Sequence, residues 1–363
     1  MKKRHLILAV ICLIMVLLNI TARLGTAFPD FYLKYIFHYI SVPFSFITGL
    51  VPFSVGEFLI YCGIALVVIG IPLLVLLVIF RKNSRRKICS IGASAALWVA
   101  AFVVTTETLN CFIMYQCTKF SDRYFPDTHE HTDEELTELY ALLIDKCNEL
   151  SLQVSRDENG QFVLTDELIG NAKAAMKKAA EDYSVLSGYY PDPKPIFYSY
   201  YMAQSDLLGI FFPFSMEANY NADMCDINFP NTICHEYSHL KGIIQEDEAN
   251  FIAFIATTGS DSIDFRYSGY INALEYVQNQ IYENNVEQAF SLDEKIEYAV
   301  VCDLFRFMPE NYIEENDDKE IISTETVEVF SDAATDTSLK INGVEDGIKS
   351  YSRMVNLLLD YYF

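Results

Sequence analysis

Apolar and polar positions divide this chain into two unlike parts. Before about residue 118 the apolar residues run almost without interruption. Three stretches, about 6–22, 55–80 and 88–111, each approach the ~20 apolar residues needed to cross a bilayer core. Between the first two, Phe31 to Phe53 is aromatic and apolar, and reads as an interfacial or re-entrant segment. After residue 118 the pattern becomes amphipathic. Thr132-Asp133-Glu134-Glu135 has the form of a capping box, and Leu136, Leu139, Leu143, Cys147 and Leu150 follow at helical spacing. A second helix is expected behind Thr165. Gly188-Tyr189-Tyr190-Pro191-Asp192-Pro193-Lys194-Pro195 then stops helix formation, and 196–201 and 207–212 read as strands. Helices are expected at 231–241, ended by Gly242, at 246–258, ended by Gly259, and at about 270–282, 292–308 and 344–361, with 310–336 as mixed loop. The fold class expected is α+β: a transmembrane region over 1–118, then a mostly helical domain with a small sheet over 119–363.

Charge sharpens this division. Up to Glu107 there are 10 Lys and Arg against 3 Asp and Glu; the remainder has 16 against 46, a net of roughly −30. Such an acidic domain excludes nucleic acid as a partner, because neutralising phosphates requires cations. The basic residues Lys2-Lys3-Arg4 and Arg81-Lys82-Asn83-Ser84-Arg85-Arg86-Lys87 flank the spans. Both belong on the cytoplasmic side, so the expected protein is a three-pass membrane protein with its acidic domain outside the cell. The first span reads as an uncleaved anchor, although its length also suits a signal peptide. Six of the nine Cys, from Cys111 onward, fall in the expected outside portion; a disulfide or two is permitted there but not required.

The candidate chemistry lies at His235-Glu236-Tyr237-Ser238-His239. On a helix, residues i and i+4 share a face, so His235 and His239 can grip one ion, with Glu236 placed as the base for a water. A catalytic zinc usually has three protein ligands. No His follows His239, and Gln245 stands where a third His of metzincin type would fall. The third ligand is therefore expected to be a carboxylate, with Glu246 preferred and Glu248 the alternative. Asn250, one turn after Glu246, is a candidate to hydrogen-bond a ligand. Asn219 and Asn221, in the stretch 212–221 leading to the metal helix, are candidates for substrate or ligand contacts; that stretch is expected to offer a sheet edge to an extended peptide. Tyr267, Tyr270 and Arg266 are candidate donors to a tetrahedral oxyanion. Cys234 reads as structural. His129 and His131, at i and i+2 with no third ligand evident, read as part of a solvated loop, and His38 as a polar residue at headgroup level.

The run Glu246-Asp247-Glu248-Ala249-Asn250 resembles the third-ligand helix of gluzincin-type peptidases, such as the membrane CAAX-processing and HtpX-like proteases. That resemblance implies Glu246 as the ligand. A closer resemblance is to an uncharacterised family of bacterial three-pass membrane proteins, domain-of-unknown-function family 3810. It rests on Glu217-Ala218-Asn219, Cys234 to Gly242, Glu246 to Phe251 and Tyr267-Ser268-Gly269, in that order. It implies a zinc metallopeptidase holding one ion and acting on a peptide or protein substrate, with membrane-proximal substrates favoured by the anchor. Two other readings stay open: a catalytically silent zinc-binding membrane receptor, and a metal-dependent amidase acting on cell-wall material.

Overall fold

The structure, a computed structural model, describes residues 3–126, 128–284, 286–341 and 353–363. It is mostly helical with two small sheets, and the chain divides into two compact units. One comprises the residues up to Cys117 together with Phe212–Glu217; the other comprises Thr118–Phe211 and Ala218–Phe363.

The first unit holds three helices long and apolar enough to cross a membrane: His5–Ala22, Val55–Phe80 and Lys82–Gln116. At 1.5 Å per residue, the 26 residues of the second span about 39 Å, more than a hydrocarbon core of about 30 Å. Their large apolar side chains face outward, among them Val67, Val68, Ile69 and Phe102. A bilayer satisfies such a surface, whereas water does not. The polar groups turn inward and pair. Asn19 Nδ2 donates to Thr108 Oγ1 at 2.7 Å, joining the first and third helices. Ser54 caps the middle helix by accepting from the Glu57 amide, and the Glu217 carboxylate accepts from the amides of Val55 (3.1 Å) and Gly56 (2.8 Å). Gly56 is needed here, because a Cβ would stand 2.1 Å from the Phe212 ring. The aromatic segment between the first two spans is helical over Ala27–Tyr32, Leu33–Phe37 and His38–Thr48. It buries Tyr32, Leu33, Phe37, Ser41, Ser45 and Thr48, and exposes Phe31, Tyr35, Tyr39 and Phe46.

In the second unit, the helix Asp133–Ser151 begins at the expected capping box: Thr132 accepts from the Glu135 amide and Glu135 accepts from the Thr132 amide. All five of its predicted apolar positions are buried. It packs along the helix Ile263–Asn284, which begins earlier than expected because Ser262 Oγ caps it by accepting from Phe265 N. Between Ser155–Arg156 (β1) and Phe162–Val163 (β2) lies a two-stranded antiparallel sheet. The helix Leu168–Asp182 is capped by Glu167 rather than Thr165. Thr165 is already engaged, since its amide and hydroxyl both donate to Asp264.

The second sheet sets the stage for the site. Its strands are Lys194–Pro195 (β3), Gly209–Phe212 (β4) and Glu217–Tyr220 (β5), in the order β3-β5-β4, with β3 parallel to β5. The strand expected over 196–201 is therefore corrected. Extended pairing stops at Pro195, and Ser199–Ala203 is helical, because Ser199 Oγ folds back onto Ile196 O and accepts from Ala222 N. The expected sheet edge at 212–221 is corrected too. β5 is paired on both sides, and β3 and β4 are the edges.

The His-Glu-x-x-His helix runs Phe229–Leu240, starting earlier than expected behind Asn228 with Pro230 in its first turn. Gly242, at φ +86°, reverses the chain as predicted, and the helix Glu246–Thr258 follows. The single helix expected over 292–308 is instead two short ones, Val286–Asp293 and Tyr298–Val301. The Asp293 carboxylate draws hydrogen bonds from Tyr140, Tyr282 and Gln278, and Phe305 adopts a positive φ. The stretch 310–336, expected as loop, carries the helices Tyr312–Glu315 and Thr324–Ile341. Of the helix expected at 344–361, Arg353–Tyr362 is present, and its first part lies outside the described residues. All nine Cys are free thiols.

Candidate metal centre

The geometry follows from two helices and the five-residue turn between them. Helical spacing puts the rings of His235 and His239 on one face, with their Nε2 atoms 3.0 Å apart. The Gly242 reversal aims the Ile243 carbonyl back at His239, whose Nδ1 donates to it at 2.8 Å. The same turn starts the next helix so that the Glu246 carboxylate lies 3.1 Å from His235 Nε2 and 3.7 Å from His239 Nε2. One turn further on, Asn250 Oδ1 accepts from His235 Nδ1 at 2.7 Å, and Asn250 Nδ2 donates to Tyr276 Oη at 3.0 Å. With Asn250 Oδ1 turned to it, His235 Nδ1 carries the proton.

These hydrogen bonds leave each imidazole with its proton on Nδ1 and its lone pair on Nε2. Two lone pairs and a carboxylate oxygen then converge at 3.0 to 3.7 Å. Three acceptors so close repel one another unless a cation lies among them, and two His with one Glu is a zinc-type donor set. His235, His239 and Glu246 thus fit the implied ion, and all their ligand atoms fall within 4.8 Å of one another. A proton on His235 Nε2 can take that place too. Burial works against a charge on His235, yet the hydrogen bond and charge of Glu246 outweigh it and push the group up to about 9; burial holds His239 down at about 4.

The neighbouring acids are spoken for. Glu248 is fully buried and accepts from the Ser121 amide at 2.8 Å and hydroxyl at 2.6 Å, while Asp247 pairs with Lys119 at 3.4 Å. Of the three consecutive carboxylates, only Glu246 is turned to the His pair.

Glu236 is the unusual group. Its side chain is almost wholly buried, and its Oε2 has no hydrogen-bond partner. Burial, above all, pushes its carboxyl up to about 8. It lies under the edge strand: a Cβ on Gly209 of β4 would stand 2.3 Å from Glu236 Oε1 and 2.8 Å from the Thr232 methyl. The next-but-one residue of that strand, Phe211, faces His239 with ring centroids 5.8 Å apart. Once ionised, a buried carboxylate oxygen with no partner, beside a cluster of ligand atoms and an open strand edge, can accept a proton from a water placed there.

The remaining predicted residues lie in other settings. Asn219 is fully buried, and its Nδ2 donates to the Ile210 carbonyl, fastening β5 to β4. Asn221 is likewise buried and donates to Leu207 O. The Tyr267 hydroxyl donates to Asp303 at 2.6 Å and accepts from Arg156 at 3.1 Å. Tyr270 packs edge-on to Phe254 and shares a hydrogen bond with Tyr362. Cys234 is fully buried, in keeping with a structural role.

Sequence reasoning missed Tyr276, Gly209, Phe211 and the Ile243 carbonyl. It also missed Lys241, buried at the end of the metal helix. There its ammonium donates to the carbonyls of Ser187 (3.1 Å) and Tyr189 (2.9 Å) and sits 3.8 Å over the Tyr190 ring. The only advance signal was Tyr276 itself, a polar-tipped aromatic in a helix already predicted.

Fold and site together define a mostly helical protein with three helices fit to cross a membrane and a His-His-Glu group able to hold a metal ion. Residues 32–359 match the family described as "Protein of unknown function (DUF3810)", and the chain belongs to that family. No curated protein and no solved structure matches it.

Proposed function

We propose that this protein is a membrane-anchored, zinc-dependent metallopeptidase. Its N-terminus is cytoplasmic, and a zincin-like catalytic domain over 119–363 lies outside the cell. One observation carries the reading: Glu236, buried and with an unpartnered oxygen, lies beside three converging ligand atoms and beneath an edge strand. A site that held metal for structure alone would need no such base, which favours an enzyme over a silent receptor.

When bound by His235, His239 and Glu246, zinc supplies a Lewis acid that lowers the pKa of water toward ~7 and polarises a scissile carbonyl. Asn250 and the Ile243 carbonyl hold the two imidazoles in the ligating tautomer. Glu236 takes the proton from the attacking water and passes it to the departing amine. The free edge of β4 offers backbone hydrogen bonds to an extended peptide, which makes peptides the favoured substrate class.

The test is cleavage of a complex peptide library by the purified full chain beside Glu236→Gln, with zinc measured in both. Cleavage by the wild type alone, at equal zinc content, is the expected result. Zinc in both proteins and cleavage by neither would sink the peptidase reading.

A further inference from the structure

A second group of ligand atoms lies away from the His-Glu-x-x-His helix, in the residues just before the helix Asp133–Ser151. It consists of His129, His131 and Glu135, with ligand atoms again within 4.8 Å of one another. At i and i+2, the two imidazoles have no helical reason to meet. Here the chain enters the helix through the Thr132 capping box, and the rings come together at a centroid distance of 4.4 Å. The capping residue Glu135 lies between them. Its Oε1 is 2.9 Å from His129 Nε2, and its Oε2 is 3.7 Å from His131 Nδ1. Oε2 also accepts from the Thr132 amide at 2.8 Å and hydroxyl at 3.2 Å.

The telling atom is His131 Nδ1. The side chain is 9 % exposed, and Nδ1 is buried with no hydrogen-bond partner. The other nitrogen, Nε2, donates to Asp360 Oδ1 of the C-terminal helix at 2.7 Å. With its proton committed to Asp360, the ring points the lone pair of Nδ1 at Glu135. There it faces Glu135 Oε2, an acceptor that the Thr132 amide already engages. A buried imidazole lone pair facing a carboxylate oxygen calls for a cation between them. The arrangement repeats the metal-centre pattern, in which a ligating imidazole gives its second N–H to a carboxylate or carbonyl.

We propose that His129 Nε2, His131 Nδ1 and Glu135 form a second metal site for a divalent first-row transition ion of the zinc class, with Asp360 orienting His131. Imidazole and carboxylate suit that class of ion. The His129 side chain is 49 % exposed, so the site is open on one side and leaves room for water in the coordination shell. Through Asp360 the ion fastens the entry of the helix Asp133–Ser151 to the C-terminal helix Arg353–Tyr362. Among the described residues no buried, unpartnered carboxylate like Glu236 accompanies it, so its role is to hold structure. The site stands independently of the peptidase reading.

The test is zinc content per chain, by mass spectrometry of the full-length protein in detergent after equilibration at limiting free zinc. His129→Ala removes a half-exposed ring and spares the core, so it serves as the main variant, with His131→Asn as the second. Each is expected to hold one zinc fewer than the wild type. His235→Ala is also expected to lose one, and that loss is a separate one. Asp360→Asn is expected to keep the second ion with affinity weakened on the order of 10-fold or more, as loss of an orienting partner does. Cobalt(II) titration supplies a second readout, with His129→Ala lacking one of two visible-absorption components. Zinc contents in His129→Ala and His131→Asn equal to the wild type would overturn the proposal. A proton, rather than a metal, would then be what separates Nδ1 from Glu135.

Discussion

Two pairs of histidines in one domain reach comparable geometry by opposite routes. His235 and His239 lie on consecutive turns of a single helix, and the helix alone brings them together. His129 and His131 lie in a non-helical approach, and a capping glutamate gathers them. Each pair has one ring steered by a partner on another element: Asn250 for His235 and Asp360 for His131. The difference lies in what surrounds the ligand atoms. The helical pair is buried, and beside it is a carboxylate oxygen with no partner, under an open strand edge. The other pair is half open to water and, among the described residues, has no buried, unpartnered carboxylate beside it. Ligand geometry alone therefore does not separate a reactive centre from a fastening; the neighbouring orphan group does.

The comparison breaks most sharply at Glu236. Glu236→Gln keeps shape and removes the base, so peptide cleavage should fall on the order of 10²- to 10⁴-fold while both metal sites stay filled. A variant that cleaves like the wild type would leave the two pairs chemically equivalent. Next comes Gly209→Ala. Its new methyl would occupy the space of Glu236 Oε1 and push the carboxylate aside. We expect a loss in kcat of on the order of 10²-fold with zinc content unchanged, as mispositioning of a catalytic group costs. Unimpaired turnover would show that Glu236 tolerates displacement. Asn250→Ala frees the His235 tautomer and should weaken zinc at that site by about 10- to 100-fold, leaving the other site alone, which a competitive chelator titration reads directly.

The smallest effect sharpens the meaning of burial. Glu275, like Glu236, is pushed up to about 8 by burial, yet it has a partner: its Oε1 accepts from the Phe305 amide at 2.5 Å. Its folded pKa stands above its unfolded one, so the fold retains a proton that the unfolded chain has lost. The contribution of Glu275 to stability should therefore be full below about pH 4.5 and decline as pH rises toward about 8. Glu275→Gln keeps the acceptor and cannot ionise. It should flatten that decline and gain on the order of 1–3 kcal/mol at pH 8, measured by denaturant unfolding across pH. Parallel profiles for variant and wild type would remove Glu275 from the account.

Much of this was legible in residues whose meaning is local. The three apolar runs, the Thr132 box, the five buried positions of its helix and the Gly242 reversal all depend on neighbours within a few residues. Of the centre, His235, Glu236, His239 and Glu246 were readable because one helix and one turn place them. Failures occurred where a distant side chain overrode local preference. Thr165 gave way to Glu167 as cap because Asp264 had claimed it. The long helix expected over 292–308 broke where Asp293 gathered groups from two other helices. β5 looked like an edge until its pairing with Lys194 and Pro195 was visible. His129 and His131 looked solvated because nothing within the capping box announced Asp360, which lies 229 positions away from His131.

The turn at Gly242 has one further consequence, and it concerns the unfolded chain. Every proposed ligand of the helical centre, and the Asn that steers one of them, falls between His235 and Asn250. A metal ion can therefore close a very short loop before the rest of the domain forms, and so bind the denatured ensemble as well as the native one. An ion that binds both states stabilises the fold by less than its native affinity alone would give. The ligands of the second site, His129 to Glu135, are closer still in sequence, so the same holds for its ion; only the Asp360 contact that orients His131 waits for the assembled domain.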